Sequence, residues 1–103
     1  MTETESLLTA MRARAPSLRG LSYRVRFELT DTGSELLLDG TDGGATVTEG
    51  GGEADTVLRL SSADLARLIA GRLSPMLAFS TGRLRVDGSK GVAMKLASLL
   101  DDE

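Results

Sequence analysis

The chain has 103 residues, of which 41% are hydrophobic, and it contains neither cysteine nor histidine. It is the size of one small domain, 1–103, with one core, and its composition excludes a disulfide framework and Ser-His or Cys-His nucleophiles. With a net charge of −3 and 3% aromatic residues, it cannot assemble a basic, base-stacking platform for nucleic acid.

The first element is a helix expected over 3–14, where Thr2 and Glu5 have capping-box spacing and Leu7, Leu8 and Met11 share a side with Ala15 and Leu18 beyond it. Pro16 ends that helix, because the residue before a proline avoids the helical region. Over 22–30, Tyr23, Val25, Phe27 and Leu29 alternate with Arg24, Arg26, Glu28 and Thr30, the period-two pattern of a strand with one buried and one wet face. Further strands are expected at 36–38, 45–49 and 56–60, separated by the turn signals Asp31-Thr-Gly33-Ser, Asp39 to Gly44 and Gly50-Gly51-Gly52. Such short connections predict a four-strand antiparallel meander. Ser61 or Ser62 then caps a helix running to about Arg72, with Asp64 favouring its positive end. Arg83 to Asp87 is a fifth strand, and Ser89 caps a last helix running to about Leu100. The order defines an α+β fold in which helices cover one face of a five-stranded, mostly antiparallel sheet.

Charge is segregated along the chain. Five arginines and no acid lie between Arg12 and Arg26, eight acids and no base between Glu28 and Asp55, and seven bases with two acids between Arg59 and Lys95. Three solvated surfaces of different sign are the plain reading; a basic face toward a lipid surface or an acyl carrier is the sharper one. The acids Asp42, Glu49, Glu53 and Asp55 read as solvated loop residues. Neither glycine cluster at 40–44 or 50–52 has phosphate-loop spacing, whereas Gly88-Ser-Lys-Gly91 opens a helix and reads as a capped tight turn with the geometry to hold an anion. No metal site and no cofactor are expected. Residues 1–20 lack an apolar leader, and no stretch approaches the roughly 18 apolar residues of a membrane span. Ten of the twelve basic residues are arginine, a genomic composition bias, and the absence of cysteine fits a reducing compartment. A cytoplasmic, bacterial protein is expected.

Both later helices carry more apolar surface than a sheet can cover. Val92, Ala93, Met94, Leu96, Ala97, Leu99 and Leu100 span an arc of about 220°, and Ala63, Leu65, Ala66, Leu68, Ile69, Ala70 and Leu73 span a similar one interrupted by Arg72, against the roughly 100° a surface helix needs. Between them runs Gly71-Arg-Leu-Ser-Pro75-Met-Leu-Ala-Phe79-Ser-Thr-Gly82-Arg-Leu-Arg-Val-Asp-Gly88, in which Pro75 stops the helix and Met76, Leu77 and Phe79 form an apolar segment between elements.

This run, with Asp55-Thr-Val-Leu-Arg-Leu-Ser61, Asp64-Leu65 and the final Met94-Lys-Leu96 helix, resembles the sterol carrier protein 2 sterol-transfer family. The resemblance covers most of the chain. It implies helices enclosing an apolar tunnel and binding or transfer of a fatty acid, fatty acyl-CoA, sterol or phospholipid without catalysis. Carried onto this sequence, the tunnel residues are Leu65, Leu68, Ile69, Leu73, Met76, Leu77, Phe79, Met94 and Leu99. Arg72, which interrupts an apolar arc, is the expected headgroup contact. The expected partner is an apolar small molecule or lipid, with transient membrane-surface contact, no nucleic acid, and a monomer or weak homodimer. The alternative is an accessory dimerisation or interaction module of the same fold. The last helix is expected to act as a lid hinged at Gly88 and Gly91.

Overall fold

A computed structural model describes residues 3–18, 21–41 and 45–101. The elements are α1 (Glu3–Arg14), a 3-10 turn (Ala15–Leu18), β1 (Arg24–Leu29), β2 (Glu35–Asp39), β3 (Thr46–Glu49), β4 (Thr56–Leu60), α2 (Ser62–Ile69), α3 (Pro75–Ser80), β5 (Arg85–Gly88) and α4 (Lys90–Asp101). Thr2 of the expected capping box and Asp42 of the loop acids lie outside the described residues. Among the described residues, five strands and four α-helices make the α+β fold that the element order implies.

The sheet order is β3-β2-β1-β4-β5. β1 pairs antiparallel with β2 and parallel with β4; β2–β3 and β4–β5 are antiparallel. The expected four-strand meander is therefore corrected to three strands followed by a crossover. Alternation along β1 puts Val25, Phe27 and Leu29 inward, and the register sets Leu36 and Leu38 of β2 and Leu58 and Leu60 of β4 beside them on the same face. As a central strand with partners on both sides, β1 could not be distinguished from a meander edge by its own pattern.

Residues 50–55 make the crossover instead of a hairpin turn. Arg26 Nη1 donates to the Gly52 carbonyl at 3.0 Å. A Cβ at Gly51 would stand 2.7 Å from Glu35 Oε2, and one at Gly52 would stand 3.3 Å from Leu37 Cδ2. Arg26, Glu35 and Leu37 all belong to the outer face of the sheet, so the glycine run lies against that face. The crossover ends where Asp55 Oδ2 accepts from the Arg24 N–H at 2.9 Å and the Arg24 carbonyl accepts from the Asp55 N–H.

Helices cover the other face. α1 packs on α2 and β3, while α4 packs on the 3-10 turn, β4 and β5. Leu7, Leu8, Met11 and Leu18 are buried as their spacing predicts. Pro16 does not send the chain out of helix at once, because a 3-10 turn tolerates its missing N–H. Tyr23 does not follow the inward alternation. It precedes β1, is exposed, and lies under the Lys95 ammonium, 5.3 Å from its ring centre.

The segregated charges mix on folding. The basic strand β1 lies between the acidic β2 and the Arg59 strand β4, which pairs Arg24 with Asp39, Arg26 with Glu28 and Glu35, and Arg59 with Glu28 and Asp87. Arg26 Nε faces Glu35 Oε2 at 3.4 Å as an ion pair without hydrogen-bond alignment. Arg12 donates to the Val47 carbonyl of edge strand β3, and Arg14 to the Ile69 carbonyl at the end of α2. These five arginines are engaged by contacts within the fold.

Candidate functional site

The site begins with the punctuation of the chain after α2. Ser61 caps α2, its hydroxyl accepting from the Asp64 N–H at 3.1 Å. Asp31, from the turn after β1, adds a second acceptor: its Oδ1 takes the Ser62 N–H at 3.0 Å and its Oδ2 the Ser62 hydroxyl at 2.6 Å. The carboxylate thus sits at the positive end of α2. α2 stops at Ile69, three residues before the expected end, and the chain turns at Gly71 with φ +76°, a conformation natural to glycine. Arg72 therefore lies beyond the helix, and the wheel that made it interrupt an apolar arc does not apply to it.

Pro75 does not end a helix; it opens one. It occupies the first turn of α3, where the missing N–H costs nothing. The segment read as lying between elements, Met76 to Phe79, is that helix. Ala78 is fully buried, and its carbonyl accepts from both the Arg83 and Leu84 N–H groups, at 2.9 and 3.1 Å. Anchored there, α3 holds Met76, Leu77 and Phe79 at 51, 55 and 46% exposure, and Met94 of α4 beside it is 59% exposed.

Below them is a cavity of about 110 Å³. Its sheet side consists of Phe27, Leu58 and Val86, flanked by Leu68 of α2 and by Leu84. α3 contributes Pro75, Met76 and Phe79; α4 contributes Lys90, Ala93, Met94, Leu96 and Ala97. The exposed Met76, Phe79 and Met94 bring it to the surface. Two thioethers and one ring at the opening form an adaptable edge.

Of the expected ligand residues, Leu68, Met76, Phe79 and Met94 meet at this cavity. Leu65 and Ile69 are buried in the core, and Leu73 is buried ahead of α3. Leu99 is half-buried against the core, and Leu77 and Arg72 are exposed away from the cavity lining. The sheet residues Phe27, Leu58 and Val86 and the charged Lys90 were not expected there. Strand alternation showed that Phe27 and Leu58 point inward, but which part of the core stays unfilled depends on how α3 and α4 meet. The excess arc on α2 resolves into exposed Ala63, Ala66 and Ala70, small side chains that lose little in water.

A second, open hollow of about 890 Å³ lies around Ser22, Tyr23, Arg24, Arg26 and Glu53. Arg24 and Arg26 are committed there to Asp39, Glu28, Glu35 and the Gly52 carbonyl. Shifted carboxyls also lie away from the apolar cavity. The hydrogen bond from the Arg59 guanidinium, opposed by burial and joined by Arg26, holds Glu28 below its usual value, and Glu28 in turn raises Arg59. Hydrogen bonds from Ser62 lower Asp31, and those from Thr41 lower Asp39. These shifts belong to structural pairs. Among the described residues no group of three or more carboxylates could hold a metal ion, and no helix is long and apolar enough to cross a membrane.

An apolar cavity between a mixed five-stranded sheet and its helices, with one charged side chain at its edge, defines an α+β domain built around a hydrophobic site. The chain belongs to the SCP-2 sterol transfer family, whose model matches residues 4–101. It is 35% identical over 65 residues to hydroxysteroid dehydrogenase-like protein 2 of Xenopus laevis; the match covers 63% of this chain and 16% of that longer protein. Among solved structures, the sterol carrier protein domain 2 of Helicoverpa armigera is 27% identical with a TM-score of 0.71, covering 93% of this chain and 80% of that one. Sterol carrier protein 2 of Aedes aegypti, in complex with the C16 fatty acid palmitate, has the same fold: TM-score 0.74 at 16% identity, covering 97% of this chain and 96% of that one.

Proposed function

We propose that this protein binds and carries a single-chain apolar ligand of the fatty-acid type, in the cavity between the sheet and α3–α4, and that it performs no chemistry on it. The observation that carries the reading is a wholly apolar wall, Phe27, Leu58 and Val86 of the sheet with Leu68 of α2, that reaches the surface between exposed Met76, Phe79 and Met94. The palmitate held by a protein of the same fold supports the class of ligand. Affinity would come from apolar area removed from water, at about 25 cal/mol per Å² before ordering costs. At about 110 Å³ the cavity is smaller than the roughly 300–1,000 Å³ of pockets that engulf whole ligands. A long chain would seat its end there and open the α3 edge further, making a tunnel.

The test is titration of delipidated protein with a fluorescent fatty acid. Saturable one-to-one binding with Kd of about 1 μM or tighter is expected. Met94→Asp should weaken it at least tenfold while leaving the melting temperature within about 2 °C, because an exposed side chain contributes little to folding. An absence of saturable binding would overturn the reading. A second reading is favoured by one observation: in the Xenopus laevis relative the matched region is a small part of a longer protein. An accessory interaction module would give an empty dimer in native mass spectrometry, where a carrier gives a monomer loaded with lipid.

A further inference from the structure

Among the described residues, Lys90 is the one charged residue on the cavity lining. It stands at the first position of α4, exposed, and among the described residues no ion pair engages it. Lys95, on the same helix, is directed instead over the Tyr23 ring. The deep wall offers nothing to a polar group: Phe27, Leu58 and Leu68 are buried hydrocarbon. A headgroup placed there would lose its hydration without gaining a partner, so an amphiphile must enter tail first and leave its head at the edge. Lys90 lines that edge with its hydrocarbon stem, almost none of the lining being polar, so the partner offered to a head is an ammonium beyond the lining rather than within it. The positive end of α4 lies beside it and adds potential of the same sign.

We propose that Lys90 is the specificity-determining residue of this cavity and that its ligand is a single-chain carboxylate, whose anionic head pairs with Lys90 Nζ while its tail lies against Phe27 and Leu58. The proposal rests on the lipid-binding reading above and adds the sign and position of the head. It replaces Arg72, which lies off the cavity. A pair this exposed is weak and salt-sensitive, so Lys90 discriminates between heads while the tail supplies most of the affinity.

The experiment measures displacement of a fluorescent fatty acid by dodecanoate, dodecanol and dodecyl phosphate from the wild-type protein, Lys90→Met and Lys90→Arg. Circular dichroism and melting confirm that each variant is folded. In Lys90→Met the dodecanoate affinity should fall roughly three- to fivefold and that of dodecanol less than twofold, so the carboxylate-to-alcohol ratio drops. Lys90→Arg should restore the ratio, and raising salt to about 0.3 M should shrink the wild-type preference. An unchanged ratio in Lys90→Met, or an equal loss for acid and alcohol, would overturn the proposal and leave lipid binding standing. Wild-type preference for dodecyl phosphate over dodecanoate, lost in Lys90→Met, would overturn the carboxylate assignment. If no amphiphile displaces the probe because the probe itself does not bind, the lipid-binding reading fails, and this proposal with it.

Discussion

Asp31 shows how much one side chain can join. It follows β1 in sequence, yet both its carboxylate oxygens are spent on Ser62, at the first turn of α2. The loop after a central strand is thereby tied to the helix that borders the cavity. Hydrogen bonds from the Ser62 hydroxyl and N–H favour the ionised form, which lowers the Asp31 carboxyl below its usual value. A carboxyl depressed in the folded state contributes stability that is complete above its unfolded value near pH 4 and is lost as pH falls through the folded value. Glu28 and Asp39 act in the same direction. Asp31→Asn should therefore melt lower than wild type at pH 7, and the gap should close progressively as pH falls below about 4. Paired thermal melts across that range check it; a gap that stays constant with pH would mean that the Asp31 charge plays no part.

At the scale of elements, what the sequence showed depended on whether a pattern was local. The alternation of Arg24–Leu29, the Ser61 cap and the bounds of β4 at Thr56–Leu60 are short-range features, and they were legible. Neighbourhood in the sheet was not. Gly50-Gly51-Gly52 has the composition of a hairpin turn, but Gly51 and Gly52 instead run close to the side-chain ends of Glu35 and Leu37 on the outer face of the sheet. α3 escaped because six residues hold too little periodicity to separate a helix from a loop, and Pro75 signals a helix start as readily as a stop. Gly88 was read as a hinge, yet it pairs with Thr56 in the sheet at φ +107°. A Cβ there would stand 3.0 Å from the Asp55 carbonyl oxygen and 3.2 Å from Thr56 Cα. Both are backbone atoms, so Gly88→Ala should cost about 2 kcal/mol or more, lowering the melting temperature by about 10 °C. Gly82→Ala, at φ +79° with open space around it, should cost only about 1 kcal/mol. Equal losses in thermal melts would show that the β4–β5 pairing can yield around Gly88.

For the whole molecule, the question is which part gives way when a chain longer than the cavity enters. α4 was expected to be the lid, but its Val92 and Leu96 are buried, it packs on the 3-10 turn, β4 and β5, and its start is tied back through the Ser89 N–H to the Asp55 carbonyl. α3 is six residues long, exposes three of its four apolar side chains after Pro75, and lies between two glycines at positive φ, Gly71 and Gly82. Elements with few buried contacts and adaptable ends open at the lowest free energy. Fatty-acid binding should therefore protect amides of 76–84 from hydrogen exchange more than those of 92–100, and leave those of 24–29 least changed. Where exchange requires the ligand to leave, protection should rise by up to about 100-fold at a ligand concentration 100 times Kd. The sheet supplies a wall that does not move, α4 holds Lys90 at a fixed place, and α3 adapts to the length of the tail. The opposite ranking, with 92–100 gaining more than 76–84, would return the lid to α4 and place the opening on the far side of Met94.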